Sequence, residues 1–235
     1  MSIYKDSFLT GKLIKRYKRF FADVQLDNGE IVTAHCPNTG SMMGLLDKGN
    51  KVFLSESDNK KRKLKYTLEI IKINGTHIGV NTHRANRIVE DAINKNKISS
   101  IKKNMNLKRE VKYGENSRID FFLSNLSGEE IYIEVKNVTL SLNKNLAEFP
   151  DAVTERGSKH LVELTKITKR KKRAIMLYLV QRDDCDKFKI ANNIDPTYSA
   201  NLKKAIKSGV EVFCYKCSFK KNNITLDKKI KFIDK

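Results

Sequence analysis

Residues 117–138 read S-R-I-D-F-F-L-S-N-L-S-G-E-E-I-Y-I-E-V-K-N-V, which is two strands and a turn. Arg118 to Leu123 is rich in Ile, Phe and Leu, Ser124 to Glu129 is polar and carries Gly128, and Glu130 to Val138 alternates with period two. Ile131, Ile133 and Val135 therefore share one face of the second strand, and Tyr132, Glu134 and Lys136 the other. On the first strand the same rule puts Arg118, Asp120 and Phe122 together. If the strands pair with those faces aligned, Asp120, Glu134 and Lys136 converge in one small space. Two carboxylates and an ammonium are costly inside a sheet unless they neutralise one another or hold a cation. Such a trio can seat a hard divalent cation on its carboxylates and leave the lysine to steady a hydroxide or a phosphate.

Charge sets the context for that trio. The chain of 235 residues has a formal net charge of +20, with 36 lysines and 11 arginines. An excess of this size favours a polyanionic partner, nucleic acid being the commonest, although AT-rich coding or a thermophile-like surface also yields lysine-rich chains. Hydrophobic residues make up 40% and charged ones 31%, which suits a globular protein. No apolar run reaches membrane-spanning length and the N-terminus has no signal-peptide core, so a cytoplasmic location and no membrane partner are expected. The four cysteines are too few for a disulfide scaffold. Cys214 and Cys217 form a lone C-x-x-C within an alternating strand, where positions three apart face opposite ways. They read as small strand residues.

Up to residue 82 the chain reads as all-β. Short strand-like runs at 12–17, 20–26, 31–36, 51–55, 64–73 and 77–80 are punctuated by the turn signals Asp27-Asn28-Gly29 and Asn74-Gly75. This suggests a small OB-like barrel, a fold that binds single strands through basic grooves and aromatic platforms. Lys60, Lys61 and Arg62 are candidate contacts, with a solvated loop as the plainer explanation. Asn38 and Ser41 lie in a turn-rich loop, His35 to Met43, whose amides could cradle a phosphate.

From 83 onward the spacing becomes mixed. A helix is expected over residues 81–94, with Thr82 as its cap. A strand from Leu107 to Tyr113 carries Glu110, and the opening strand pair follows. Ser141 to Ala152 reads as a loop. A second helix is expected over Thr154 to Lys169, on which Arg156, His160 and Glu163 share a face. An exposed helix face is the plainer reading of that trio. Residues 174–180 are continuously apolar, as in a strand buried on both sides. Asp195-Pro196 starts a third helix that Gly209 stops, and 210–218 is the next strand.

Several linked motifs in order resemble the sugar fermentation stimulation protein A (SfsA) family. They are C-P-N-T-G-S-M at 36–42, V-N-T-H-R-A-N at 80–86, S-R-I-D-F at 117–121, Y-I-E-V-K-N-V-T-L at 132–140, F-P-D-A-V-T-E-R-G-S-K-H-L-V-E-L at 149–164 and A-N-N-I-D-P-T-Y at 191–198. The resemblance implies a mixed α+β chain: an OB-like β-barrel over 1–82 that binds nucleic acid, then an α/β domain of PD-(D/E)xK nuclease type over 83–235. It aligns Asp120 with the first acid and Glu134-Val135-Lys136 with the E-x-K. Ile119 stands where proline is usual. The implied catalytic set is Asp120, Glu134, Lys136 and His160, with Mg²⁺ or Mn²⁺ on Asp120 and Glu134. Glu110 or the Glu90–Asp91 pair could supply a further ligand. Arg118 and Arg156 join the candidate nucleic-acid contacts. The expected partner is DNA first and RNA second, with a homodimer left open. The expected function is metal-dependent phosphodiester hydrolysis. The alternative is a DNA-binding regulator of sugar or maltose metabolism that no longer cuts.

Overall fold

A computed structural model describes residues 8–114, 117–220 and 223–233. The first six strands are β1 (Leu9–Tyr17), β2 (Phe21–Leu26), β3 (Ile31–His35), β4 (Lys51–Glu56), β5 (Tyr66–Ile73) and β6 (Thr76–Gly79). β1, β2 and β3 form an antiparallel meander, β4 pairs with both β1 and β5, and a short parallel pairing of β3 with β5 closes the barrel. Strand alternation fills the interior with Leu13, Val24, Val52, Leu54, Leu68 and Ile71. The β5–β6 turn uses Asn74 and Gly75 at φ +49° and +87°, as a two-residue turn with both φ values positive requires. This is the expected OB barrel, with β6 added as an extra strand.

The second part holds α1 (Arg84–Asn94), β7 (Asn106–Tyr113), β8 (Ser117–Ser124), β9 (Glu130–Val138), β10 (Leu140–Asn143), β11 (Leu146–Phe149) and α2 (Glu155–Lys169). It continues through β12 (Arg173–Val180), β13 (Lys187–Ile190), α3 (Pro196–Lys207), β14 (Glu211–Lys220), β15 (Asn223–Lys229) and β16 (Lys231–Ile233). Its main sheet runs β15-β14-β12-β9-β8-β7, with β9, β12 and β14 parallel. Ile131, Ile133, Val135, Ile175, Leu177 and Leu179 pack on the α1 side. Met176, Tyr178, Leu161, Leu164 and Leu202 pack between the sheet and helices α2 and α3. Two apolar faces on one strand explain why β12 is a continuous hydrophobic run. Cys214 and Cys217 fall into opposite cores as buried free thiols.

Three local features differ from expectation. The segment after β9 is not a loop: β10 and β11 form a hairpin, and with β13 and β16 they make a second, four-stranded sheet. These strands are three or four residues long and partly polar, too short for periodicity to register. Thr82 does not cap α1, because its hydroxyl donates to the Pro37 carbonyl at 2.6 Å, and His83 occupies the cap position. The third concerns Asp120 and is described with the site.

Barrel and α/β domain meet along a hydrogen-bonded seam. The Gly79 amide donates to the Gln181 carbonyl at 2.9 Å, Ile78 bridges to Arg182, and the His77 amide donates to Asp183 at 3.1 Å. A Cβ at Gly79 would meet the Gln181 side chain, so the glycine leaves room for that buried side chain beside the seam. Arg84 of α1 donates to the fully buried Glu69 of β5 at 2.9 Å, and Asn81 donates to the same carboxylate. No helix among the described residues is long and apolar enough to cross a membrane.

Candidate active site

β9 and α2 build the centre of the site. Thr154 caps α2 by accepting the Gly157 amide, which sets the helix phase so that His160 and Glu163 turn towards the sheet. Both are buried, so the exposed-face reading fails for them. On β9, Glu134 and Lys136 point to the same side, as period two requires. Glu134 Oε1 accepts from Lys136 Nζ at 2.7 Å and lies in very short contact with His160 Nδ1. Lys136 Nζ and His160 Nδ1 are themselves 3.0 Å apart. One carboxylate oxygen thus gathers two nitrogen groups. The other, Glu134 Oε2, is buried and has no hydrogen-bond partner among the described residues.

Asp120 reaches the site by a break in regular pairing. The β8–β9 ladder ends at Phe121–Ile133, and the β7–β8 ladder skips from Arg109–Phe121 to Val111–Ile119. The skipped pair is Glu110 and Asp120, and Glu110 sits in the left-handed region at φ +51°. Across this kink Ile119 packs on the α2 side and Phe121 on the α1 side. The simple alternation that placed Asp120 on one face with Phe122 therefore does not hold. Instead the Asp120 carboxylate enters the gap where the β8–β9 ladder stops, accepting the Val135 amide at 2.7 Å and Asn86 Nδ2 of α1 at 2.8 Å.

The two acids have different electrostatics. Burial, and then the Glu134 charge, raise the Asp120 carboxyl to about 6 against the opposing Val135 and Asn86 hydrogen bonds. Burial also pushes Glu134 upward, but Lys136 and His160 outweigh it and hold Glu134 below its ordinary value. Near neutrality Glu134 is anionic while Asp120 is close to its titration point. Tyr113 lies within the same field; burial first, then Glu134, Glu163 and Asp120, raise its phenol well above normal. Its hydroxyl and Glu163 Oε2 are, like Glu134 Oε2, buried without a partner among the described residues. Glu163 Oε1 accepts from Lys166 at 2.8 Å. Glu163 Oε2 lies against Gly114, where a Cβ would collide and φ is +61°. Among the described residues no three His, Cys, Asp or Glu side chains are close enough to share one ion.

The other sequence candidates divide clearly. Arg156 is exposed, with Nε 3.5 Å from His160 Nε2 at the outer edge of the cluster. Arg118 is exposed on β8 opposite Lys112. Asn38 is buried and accepts the Gly40 amide at 2.9 Å. Ser41 donates to the Asp151 carbonyl at 3.0 Å, tying the barrel loop to the segment before α2. Lys60, Lys61 and Arg62 are exposed in the β4–β5 loop, where Arg62 donates to Thr67. Glu110 is exposed, and it is its backbone that shapes the site. Glu90 pairs with Arg109, and Asp91 with Lys95. Sequence reasoning missed Asn86, Tyr113 and Gly114. The signal for Asn86 was its place one helical turn before Glu90; Tyr113 and Gly114 gave none beyond ending a strand.

Comparison with known proteins agrees with this architecture. The family model described as the sugar fermentation stimulation protein RE domain matches residues 83–223, and the SfsA N-terminal OB domain matches 14–80. A sugar fermentation stimulation protein homolog of Pelagibacter ubique (strain HTCC1062) is 49% identical over 231 residues, covering 98% of this chain and 99% of that one. Its counterpart in Maricaulis maris (strain MCS10) is 50% identical over 214 residues, 91% of each chain. The structure of Pyrococcus furiosus SfsA in complex with Ca²⁺ superposes with a TM-score of 0.89 over 99% of both chains at 24% identity, which shows a shared fold. The chain belongs to the sugar fermentation stimulation protein (SfsA) family.

Proposed function

We propose that the protein is a divalent-metal-dependent nuclease that binds DNA, with RNA as the second substrate class. The observation that carries this reading is the cluster of buried Glu134 and His160 with half-buried Asp120 and Lys136, in which Glu134 Oε2 has no partner among the described residues. A buried carboxylate oxygen without a donor is the chemistry a cation satisfies. Asp120 and Glu134 would hold Mg²⁺ or Mn²⁺, and the Ca²⁺ complex of the Pyrococcus furiosus relative supports a hard divalent ion. When bound, such an ion lowers the pKa of a coordinated water and neutralises charge on a phosphate.

The chain's own groups supply the rest. His160 and Lys136 fix Glu134 in one rotamer and keep it anionic. The Lys136 side chain is 13% exposed, and its ammonium is offered as the group that orients a water or a phosphate oxygen. Arg156, at the open side of His160, offers its guanidinium to a backbone phosphate. The +20 charge supplies attraction that is independent of sequence and weakens steeply with salt.

The test is cleavage of single-stranded, duplex and hybrid substrates with Mg²⁺ or Mn²⁺. Asp120→Asn, Glu134→Gln and Lys136→Ala should each lower the rate by about 10²-fold or more, with strand binding retained. Absence of metal-dependent cleavage by the pure wild-type protein on all three substrates sinks the proposal. One observation favours a second reading. Lys136 and His160 already neutralise Glu134, as they would in a silent ion pair within a non-cleaving regulator. A defined footprint without strand scission would favour that regulator, acting on sugar or maltose metabolism.

A further inference from the structure

Between the barrel loop and the end of β9 lies a cavity of about 200 Å³. Its walls include Asn38 and Thr39 from the barrel loop, Asn137 at the end of β9 and Thr139 just after it, and Glu148 and Phe149 from β11. It opens at the seam, one residue past Lys136, and Thr139 is ~10 Å along the chain from that lysine. We propose that this cavity receives one unpaired nucleobase of the bound strand, adjacent to the phosphate at the active site. The inference rests on the nucleic-acid reading above and adds a specificity pocket to it.

The polar atoms define the ligand. Asn38 and Thr139 are 4% and 6% exposed. Asn38 spends its Oδ1 on the Gly40 amide, and its Nδ2 donates to nothing among the described residues. Thr139 uses its backbone carbonyl for Arg182, and its hydroxyl has no partner among the described residues. Asn137 accepts from Gln181 through Oδ1, and its Nδ2 donates to nothing among the described residues. Two amide donors and a hydroxyl thus line the cavity, beside carboxylates already engaged: Glu148 with Lys189 and the Leu142 amide, Asp151 with Ser41 and the Met42 amide. No lysine or arginine lines it, although the chain carries 47 of them. A phosphate is therefore a poor occupant. A neutral, flat group rich in carbonyl and ring-nitrogen acceptors fits, and the apolar Phe149 and Leu140 can cover its face.

The surroundings favour a base on a strand over a free neutral ligand. The barrel loop is held from outside by β1 and the β1–β2 turn: Arg16 of β1 donates to the Asn38 and Gly40 carbonyls, and Arg19 of the turn to the Thr39 carbonyl. That turn also carries Lys18 and the half-exposed ring of Phe20. Cations beside an exposed aromatic ring are the chemistry of a strand path: phosphates on the charges and a neighbouring base on the ring.

The test uses the full chain in EDTA with two probes, a single-stranded DNA dodecamer and the same length of abasic strand. Binding is followed by anisotropy. Wild type should bind the base-bearing strand at least 10-fold more tightly. Asn38→Asp, which keeps the acceptor for Gly40 and replaces the donor, and Thr139→Val should each shrink that ratio several-fold. Both should leave abasic-strand binding and the salt slope unchanged. Lys60→Ala should weaken both probes equally. If the ratio survives both pocket variants, the pocket is overturned while nucleic-acid binding stands. If neither probe binds wild type, the proposed function falls, and the pocket with it. If millimolar glucose or maltose displaces the dodecamer in wild type and not in Thr139→Val, the cavity is a saccharide site and the base assignment is wrong.

Discussion

Asp120 and Glu134 are two carboxylates under opposite pressure. Glu134 is held anionic by two nitrogens on one oxygen, whereas burial and then the Glu134 charge raise Asp120 to about 6 against the two amides that donate to it. The sign for stability follows. A carboxyl raised above its unfolded value contributes stability in full below about 4, and loses it as pH rises through about 6. The metal-free protein should therefore lose on the order of 1–3 kcal/mol between pH 4.5 and 7.5 from this group, and Asp120→Asn should flatten that part of the profile. Urea unfolding of both proteins across that range, in EDTA, measures the difference. An equal slope in the two proteins would assign the pH dependence elsewhere. The residues Asp120, Glu134 and Lys136 were legible because their spacing places them on adjoining strands. Asn86 and Tyr113 were not, since each meets the cluster only through tertiary packing. The route by which Asp120 enters was hidden too, because it depends on a kink at Glu110 that no periodicity encodes.

At the scale of elements, Asp195 couples two helices. Its buried carboxylate caps α3 by accepting the Tyr198 amide at 2.8 Å, and it accepts the Thr154 amide at the start of α2, also at 2.8 Å. Asp195→Ala should cost about 2 kcal/mol, more than the ~1 kcal/mol expected of Thr154→Ala, because it orphans donors at both helix starts. Chemical denaturation of the two variants ranks them, and equal costs would show that the bond to Thr154 contributes nothing. The α3 cap was readable from Asp195-Pro196, and the α2 start from its apolar spacing. β12 was readable from its unbroken hydrophobicity. The four-stranded side sheet was not, because strands such as Leu146–Phe149 and Lys231–Ile233 are shorter than one period of any reliable pattern.

Across the whole molecule, the barrel and the α/β domain share backbone hydrogen bonds and a buried ion pair. Arg84→Met would leave Glu69, fully buried, without its guanidinium, at a cost of about 3–5 kcal/mol. Since the pair spans β5 and α1, calorimetry should show one transition moving down as a unit. Two resolved transitions in the variant, with only one displaced, would mean the seam does not couple the halves. The barrel and the mixed sheet were each legible as fold types from strand length and turn chemistry. Their junction was not, because it is written in a glycine, a glutamine carbonyl and a few side chains more than 100 positions apart.

β9 and the residue after it carry the candidate-site face on Glu134 and Lys136, an apolar core face on Ile133 and Val135, and the cavity wall from Asn137 to Thr139. Because strand side chains alternate, gaining or losing one residue inside 134–139 would exchange all three surfaces at once. The polar turn at 125–129, whose Leu126 is fully exposed, carries no such constraint. Length variation among descendants of this sequence is thus confined to that turn and the chain's other surface loops, while the six residues after Ile133 are fixed in number even where their identities drift.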